Sequence, residues 1–216
     1  MDKRILKDYL PYIIPFLVFA GLTYILPLTG ADDIFIYPAK TLIVFLVLFY
    51  FWKKIKEEIK FQVDFVAIGA GVFVFLVWVG LEGFYPLIGN DDYLNPFELS
   101  NKKFEIYLWI SIRFLGGCLA VPIIEELFWR SFALRFLIDP DIKKIPVASF
   151  SWFSFIMVSV AFGFEHYRWL PGIIAGVVYA LLYYRTKNLF SPVISHSVTN
   201  FLLGVYVLGT GQFGFW

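Results

Sequence analysis

Charged residues make up only 16% of this chain of 216 residues, against roughly a quarter in an ordinary soluble domain. Combined with 60% hydrophobic residues and 26 Phe, that shortage excludes a soluble globular protein. Neither sign of charge is in excess either. The formal net charge is +1, whereas a nucleic-acid surface needs clustered surplus Lys and Arg, so no nucleic-acid partner is expected. A single cysteine, Cys118 in a Gly-Gly-Cys setting, rules out an internal disulfide and a thiolate-rich metal site. It reads as a small packing residue, because a nucleophile would need a base that its glycine-rich surroundings do not identify. Histidine is scarce too, with only His166 and His196, and there is no internal repeat or low-complexity linker.

What the chain has is apolar runs. Seven stretches, 9–28, 35–52, 63–81, 104–137, 150–166, 171–184 and 189–208, are long and hydrophobic enough to read as membrane spans. The first follows Met1-Asp-Lys-Arg and is longer than the core of a signal peptide. Basic residues fall on alternating sides: Lys3, Arg4 and Lys7; Lys53, Lys54, Lys56 and Lys60; Arg135, Lys143 and Lys144; Arg185 and Lys187. By the positive-inside rule these face the cytoplasm, which puts the N-terminus inside and Trp216 outside a multi-pass cell (inner) membrane protein. Asp32, Asp33, Glu82, Asp91, Asp92 and Glu98 occupy the opposite loops, with Lys102 and Lys103 as the exception. The expected fold is therefore all-α, a polytopic bundle of about seven transmembrane helices around a polar chamber. It forms one membrane domain over 1–216 with its motif-bearing core at about 104–208. The fourth span is too long to cross straight, since 34 residues extend ~50 Å against a hydrocarbon core of ~30 Å. A bend or break is expected at Gly116, Gly117 and Pro122.

An ionisable side chain at membrane depth costs at least ~2.5 kcal/mol, so it faces a cavity and has a partner. Glu126 and Arg130 stand four apart, on one helix face and in the favourable order for an ion pair. Glu125, about 100° around the helix, is left free to face a cavity as a general base. Phe162 and His166 share one helix face, and so do His196 and Asn200. Glu125 with His166 is a set able to bind and activate water, and His196 with Asn200 a set able to donate hydrogen bonds to an oxyanion. Together these suffice for peptide hydrolysis. By helix rise Glu125 lies ~18 Å and His196 ~10 Å from the cytoplasmic end. His166, ~24 Å from the start of its span, meets them only if the turn after it dips below the outer surface.

Glu-Glu-x-x-x-Arg at 125–130, Phe-x-x-x-His at 162–166 and His-x-x-x-Asn at 196–200 resemble, in order and in helix assignment, the three motifs of the CAAX protease and bacteriocin-processing family. The resemblance covers roughly the C-terminal half of the chain. It implies a multi-helix intramembrane endopeptidase acting on a protein or peptide substrate, with Glu125 and His166 activating water and His196 and Asn200 stabilising the oxyanion. A prenylated substrate is not implied. Glu-Glu-Leu-Phe-Trp-Arg-Ser at 125–131, Tyr-Tyr-Arg-Thr-Lys at 183–187 and the tail at 208–216 are similar, more narrowly, to the members that accompany exosortase sorting systems. Ser131 departs from the family, where many members have glycine, and puts local packing in question.

Plainer readings apply to several of these residues. Glu126 and Arg130 read as structural support, with Arg130 also placed to meet a substrate carboxylate, and Phe162 reads as core beneath the site. Asn200 alone could serve only to join helices; its spacing from His196 favours the site. Arg113 and Lys40 read as snorkelling or interfacial residues, and Glu165 receives no role. No cofactor is required in the preferred reading. One rival adds zinc on Glu125, His166 and His196, a three-ligand set with an open position for water, although no His-Glu-x-x-His pattern is present. The other is a non-proteolytic immunity or sorting partner that keeps the motif geometry for binding.

Overall fold

The computed structural model describes residues 3–89 and 93–215; the side chains of Lys3 and Arg4, and all of Asp91, Asp92 and Trp216, to which the sequence assigns a side of the membrane, lie outside the described residues. Within them the chain is helical, without strands, and its helices fall on the seven apolar runs. We number these α1 Lys3–Ile25, α2 Asp33–Ile55, α3 Phe65–Gly80, α4 Lys103–Phe136, α5 Trp152–Phe164, α6 Trp169–Thr186 and α7 Phe190–Thr210. By length and composition four segments can cross a membrane, Ile5–Thr29, Asp33–Glu58, Lys103–Phe136 and Phe190–Thr210, while Phe65–Gly80 and Trp152–Phe164 are apolar but shorter.

Of the bend or break expected in α4, no break occurs. Instead the helix runs unbroken for 34 residues and changes its winding, with π-helical stretches at Gly116–Ala120 and Leu127–Ala133 flanking the short α-helical piece Val121–Glu126. The cause lies in Pro122, which has no N–H for the carbonyl four residues back, and in Gly116, whose missing side chain leaves room for α2. A Cβ at Gly116 would come within 2.6 Å of the Tyr37 hydroxyl and 2.7 Å of the Thr41 hydroxyl. A π turn absorbs the mismatch without severing the helix, and such turns concentrate at functional sites.

The loops sort into two ends. At one, the start of α1, residues 56–64, residues 139–148 and residues 185–191 meet. Tyr9 donates to the Pro140 carbonyl, Lys143 pairs with Asp8 at 2.6 Å, and Asn188 exchanges hydrogen bonds with the Lys60 backbone. Ser131 belongs to the same end: its hydroxyl donates to Glu58 and accepts from Arg135 at 2.6 Å, and Arg135 pairs with Glu58 at 3.0 Å. The basic loops thus gather where the charge pattern places them together. At the other end Arg168 spans Glu82 (2.8 and 2.9 Å) and the Gly214 carbonyl (2.6 Å), closing the tail onto the bundle.

Helices α5 and α6 approach backbone to backbone. A Cβ at Gly163 would lie 2.2 Å from Ile173 Cγ1 and 2.7 Å from its nitrogen, and one at Gly176 2.8 Å from the Ser159 carbonyl. α5 has only 13 residues, about 20 Å of rise. His166 follows just beyond its end. Because overpacking at a backbone contact costs about 1–3 kcal/mol, Gly163→Ala is expected to lower the thermal midpoint in detergent. Gly69→Ala, which meets nothing within 4 Å, is expected to leave it unchanged or raised.

Asp64 caps α3 from outside the helix, accepting from Val66 N (3.1 Å) and Ala67 N (3.2 Å) as well as from Ser191 (2.7 Å) and Arg185. Burial by itself pushes its carboxyl up, but the hydrogen bonds from Ser191, Arg185 and Ala67 outweigh it and hold the group below its ordinary 3.8. A carboxyl lowered on folding contributes stability that is complete above its unfolded value and lost as pH falls through the folded one. Asp64→Asn should accordingly flatten the acid side of a melting-temperature profile while lowering its neutral plateau.

Candidate active site

α4 presents Glu125 and Glu126 side by side, and one helical step separates their fates. Glu126 is fully buried and pairs with Arg130, Oε2 to Nε, at 3.0 Å, as the four-residue spacing predicts. The guanidinium is also fully buried. It lies over the Phe162 ring at 4.2 Å and the Tyr179 ring at 5.4 Å. Arg130 is therefore closed off from any substrate carboxylate, which corrects the second role assigned to it above. Phe162 is core, as expected, and forms a platform shared with both histidines, its ring 5.0 Å from His166 and 6.1 Å from His196.

The other oxygen of Glu126 holds His196, with Nδ1 at 3.0 Å, while His196 Nε2 stands 3.9 Å from Glu125 Oε2. α4 and α7 are thus joined through a carboxylate that the sequence pairs with arginine alone. An ionised carboxylate only accepts, so Nδ1 carries the hydrogen and Nε2 is the cavity-side nitrogen. His166 is set the same way: its Nδ1 is 2.8 Å from the Phe162 carbonyl, another obligate acceptor. Asn200 donates from Nδ2 to the Gly117 carbonyl at 2.7 Å.

Glu125, His166, His196 and Asn200 all line one cavity of about 250 Å³, together with Gly117, Cys118 and Tyr179. Glu125 is 5% exposed, and its Oε2 has no hydrogen-bond partner among the described residues. A buried carboxylate oxygen left without a donor is costly unless something occupies the space before it. Cys118 is a wall of this cavity rather than packing between helices. Arg113 also lines it and stacks on Tyr37 at 4.4 Å, and Lys40 turns inward to Thr23 at 3.1 Å under the Phe19 ring. Aromatic faces receive both cations. Glu165 accepts from Trp129 Nε1 at 2.9 Å. Among the described residues no three His, Cys, Asp or Glu side chains are grouped to hold a metal ion.

Three neighbours escape the sequence motifs. Tyr179 stacks on His196 at 5.1 Å and 20° and donates to Thr199 at 2.9 Å, and Thr199 reaches the Gly71 carbonyl at 3.0 Å. Trp78 meets His166 edge-on at 5.3 Å. Gly172, Gly176, Tyr179 and Tyr183 are buried along one face of α6, and that spacing of small and aromatic residues is the signal that marks Tyr179.

Residues 107–202, which contain all three motifs, match the family model described as type II CAAX prenyl endopeptidase Rce1-like. The match supports the CAAX protease family. It speaks for the family as a whole and not for the exosortase-associated subgroup. No curated protein and no solved structure matches the chain.

Removing one partner of a buried ion pair strands the other, at about 3–5 kcal/mol. Arg130→Met is therefore expected to unfold much more readily in a denaturant titration in detergent than the double variant Glu126→Gln/Arg130→Met. Equal losses in the two would show that the pair is not the unit.

Proposed function

We propose that the protein is an intramembrane endopeptidase that hydrolyses a peptide bond with water activated by Glu125. The observation that carries this reading is the unpartnered, buried Glu125 oxygen facing a cavity that His166, His196 and Asn200 also line. In the reaction Glu125 takes a proton from water as the water oxygen attacks the peptide carbonyl carbon. His166, its Nδ1 hydrogen committed to Phe162, offers the Nε2 lone pair to the same water. Asn200 donates to the developing oxyanion, joined by His196 when that ring carries both protons. As the carbon–nitrogen bond breaks, the proton moves from Glu125 to the leaving nitrogen, giving a carboxylic acid and an amine.

The substrate class is a protein or peptide chain presented from within the bilayer, and the charge pattern supports an N-terminus in the cytoplasm. Tyr179 and Phe162 hold the two histidines, so water activation and oxyanion binding are anchored to one aromatic platform.

The test is cleavage of a C-terminal peptide library by purified protein in liposomes. Glu125→Gln and His166→Ala are each expected to lower turnover by at least ~10²-fold, and Asn200→Ala by about 10²–10³, with the fold intact by thermal shift. Turnover surviving Glu125→Gln would sink the glutamate mechanism. Loss on chelation with rescue by zinc would replace it with the metal reading, and binding without cleavage would favour a sorting or immunity partner.

A further inference from the structure

The π turn in α4 has a specific electrostatic result. Val121 N–H reaches back five residues to the Gly116 carbonyl. Gly117 is thereby denied its α-helical donor, because that donor is Val121. Its π-helical donor would be residue 122, which is proline and has no N–H. An α register would strand the Cys118 carbonyl instead, so proline orphans one carbonyl in either winding, and the π turn selects Gly117. Gly117 is half-buried at the cavity wall, where a carbonyl without a donor is costly to the extent that it is shielded from water. Asn200 supplies the missing donor from α7, at 2.7 Å.

We propose that Pro122 is a positioning residue for Asn200: by leaving the Gly117 carbonyl without a helical donor, it fixes the orientation of the Asn200 amide at the cavity. A carbonyl accepts and cannot donate, so the amide must turn its NH₂ toward Gly117. One amide hydrogen is thereby consumed, and the second hydrogen and Oδ1 are left for the cavity that both Gly117 and Asn200 line. In the absence of that anchor the amide is free to flip, presenting oxygen where a donor is needed. The inference rests on the reading of Asn200 as an oxyanion donor, and it adds the group that orients it. The same bond ties α7 to α4 about two turns before Glu125, so the general base and the oxyanion donor are referenced to one helix.

The test compares Pro122→Ala with Pro171→Ala in detergent and in liposomes. Pro171 lies in the first turn of α6, where a missing N–H strands nothing, and serves as the control for losing a membrane-helix proline. In Pro122→Ala the new N–H competes for the Gly117 carbonyl. The side-chain amide of Asn200, identified in ¹⁵N spectra by its disappearance in Asn200→Ala, should then lose its protection from hydrogen exchange. kcat should fall about tenfold with KM within about twofold, while Pro171→Ala changes neither. Unchanged amide protection in Pro122→Ala overturns the proposal whatever the activity does, and so does an unchanged kcat where Asn200→Ala lowers it. If Asn200→Ala leaves kcat intact, the oxyanion reading fails instead, and the amide protection still decides whether Pro122 orients the side chain.

Discussion

Glu126 is a fully buried carboxylate, and the protein is built so that this is tolerable. One carboxylate oxygen faces the Arg130 guanidinium and the other faces His196 Nδ1, at 3.0 Å in both cases. The guanidinium in turn needs cover, which Phe162 from α5 and Tyr179 from α6 provide as ring faces. Four helices are thus brought into rotational register by a single charge, because a turn of any one of them would expose or strand part of the cluster. Glu125 inherits its setting from this arrangement: with its neighbour committed to the interior, it is carried one helical step around toward the cavity.

Close helix approach does the rest of the positioning. Gly163 and Gly176 let α5 and α6 touch through backbone, and Gly71 brings α3 to the Ser195 carbonyl of α7. In a bilayer, where lipid is as apolar as leucine, such small-residue contacts and interhelical hydrogen bonds are what hold helices together. Thr199, bonded to both Tyr179 and the Gly71 carbonyl, supplies two of these bonds, and it holds the ring that stacks on His196.

Much of this was legible in the sequence because a bilayer leaves few choices. Spans must be apolar and helical, so seven hydropathy runs became seven helices whose ends shifted by a few residues. The Glu126 and Arg130 pair was legible because an i,i+4 relation is local. Contacts between helices are a different matter, since periodicity gives a face but not the rotation that decides which face meets which. His196 was readable as a polar group with Asn200 beside it, whereas its bond to Glu126 on another helix was not. The winding change in α4 was half visible: Gly116, Gly117 and Pro122 marked the place, but a break and a π turn answer the same missing N–H, and only the packing of Tyr37 and Thr41 against Gly116 decides between them. The ring contacts of Arg113 and Lys40 were illegible for a related reason, as they join different helices.

The brevity of α5 has a consequence for the surrounding lipid. Its outward face, with Phe153, Ile156 and Met157 exposed, is apolar, yet 13 residues give about 20 Å of helix where acyl chains fill about 30 Å. Mismatch of this kind costs fractions of a kcal/mol per Å and is relieved by local thinning of the bilayer. Acyl chains beside α5 therefore meet an apolar face shorter than themselves. The helix that delivers one histidine to the cavity is also the shortest of the seven, and so the one whose mismatch with lipid is greatest.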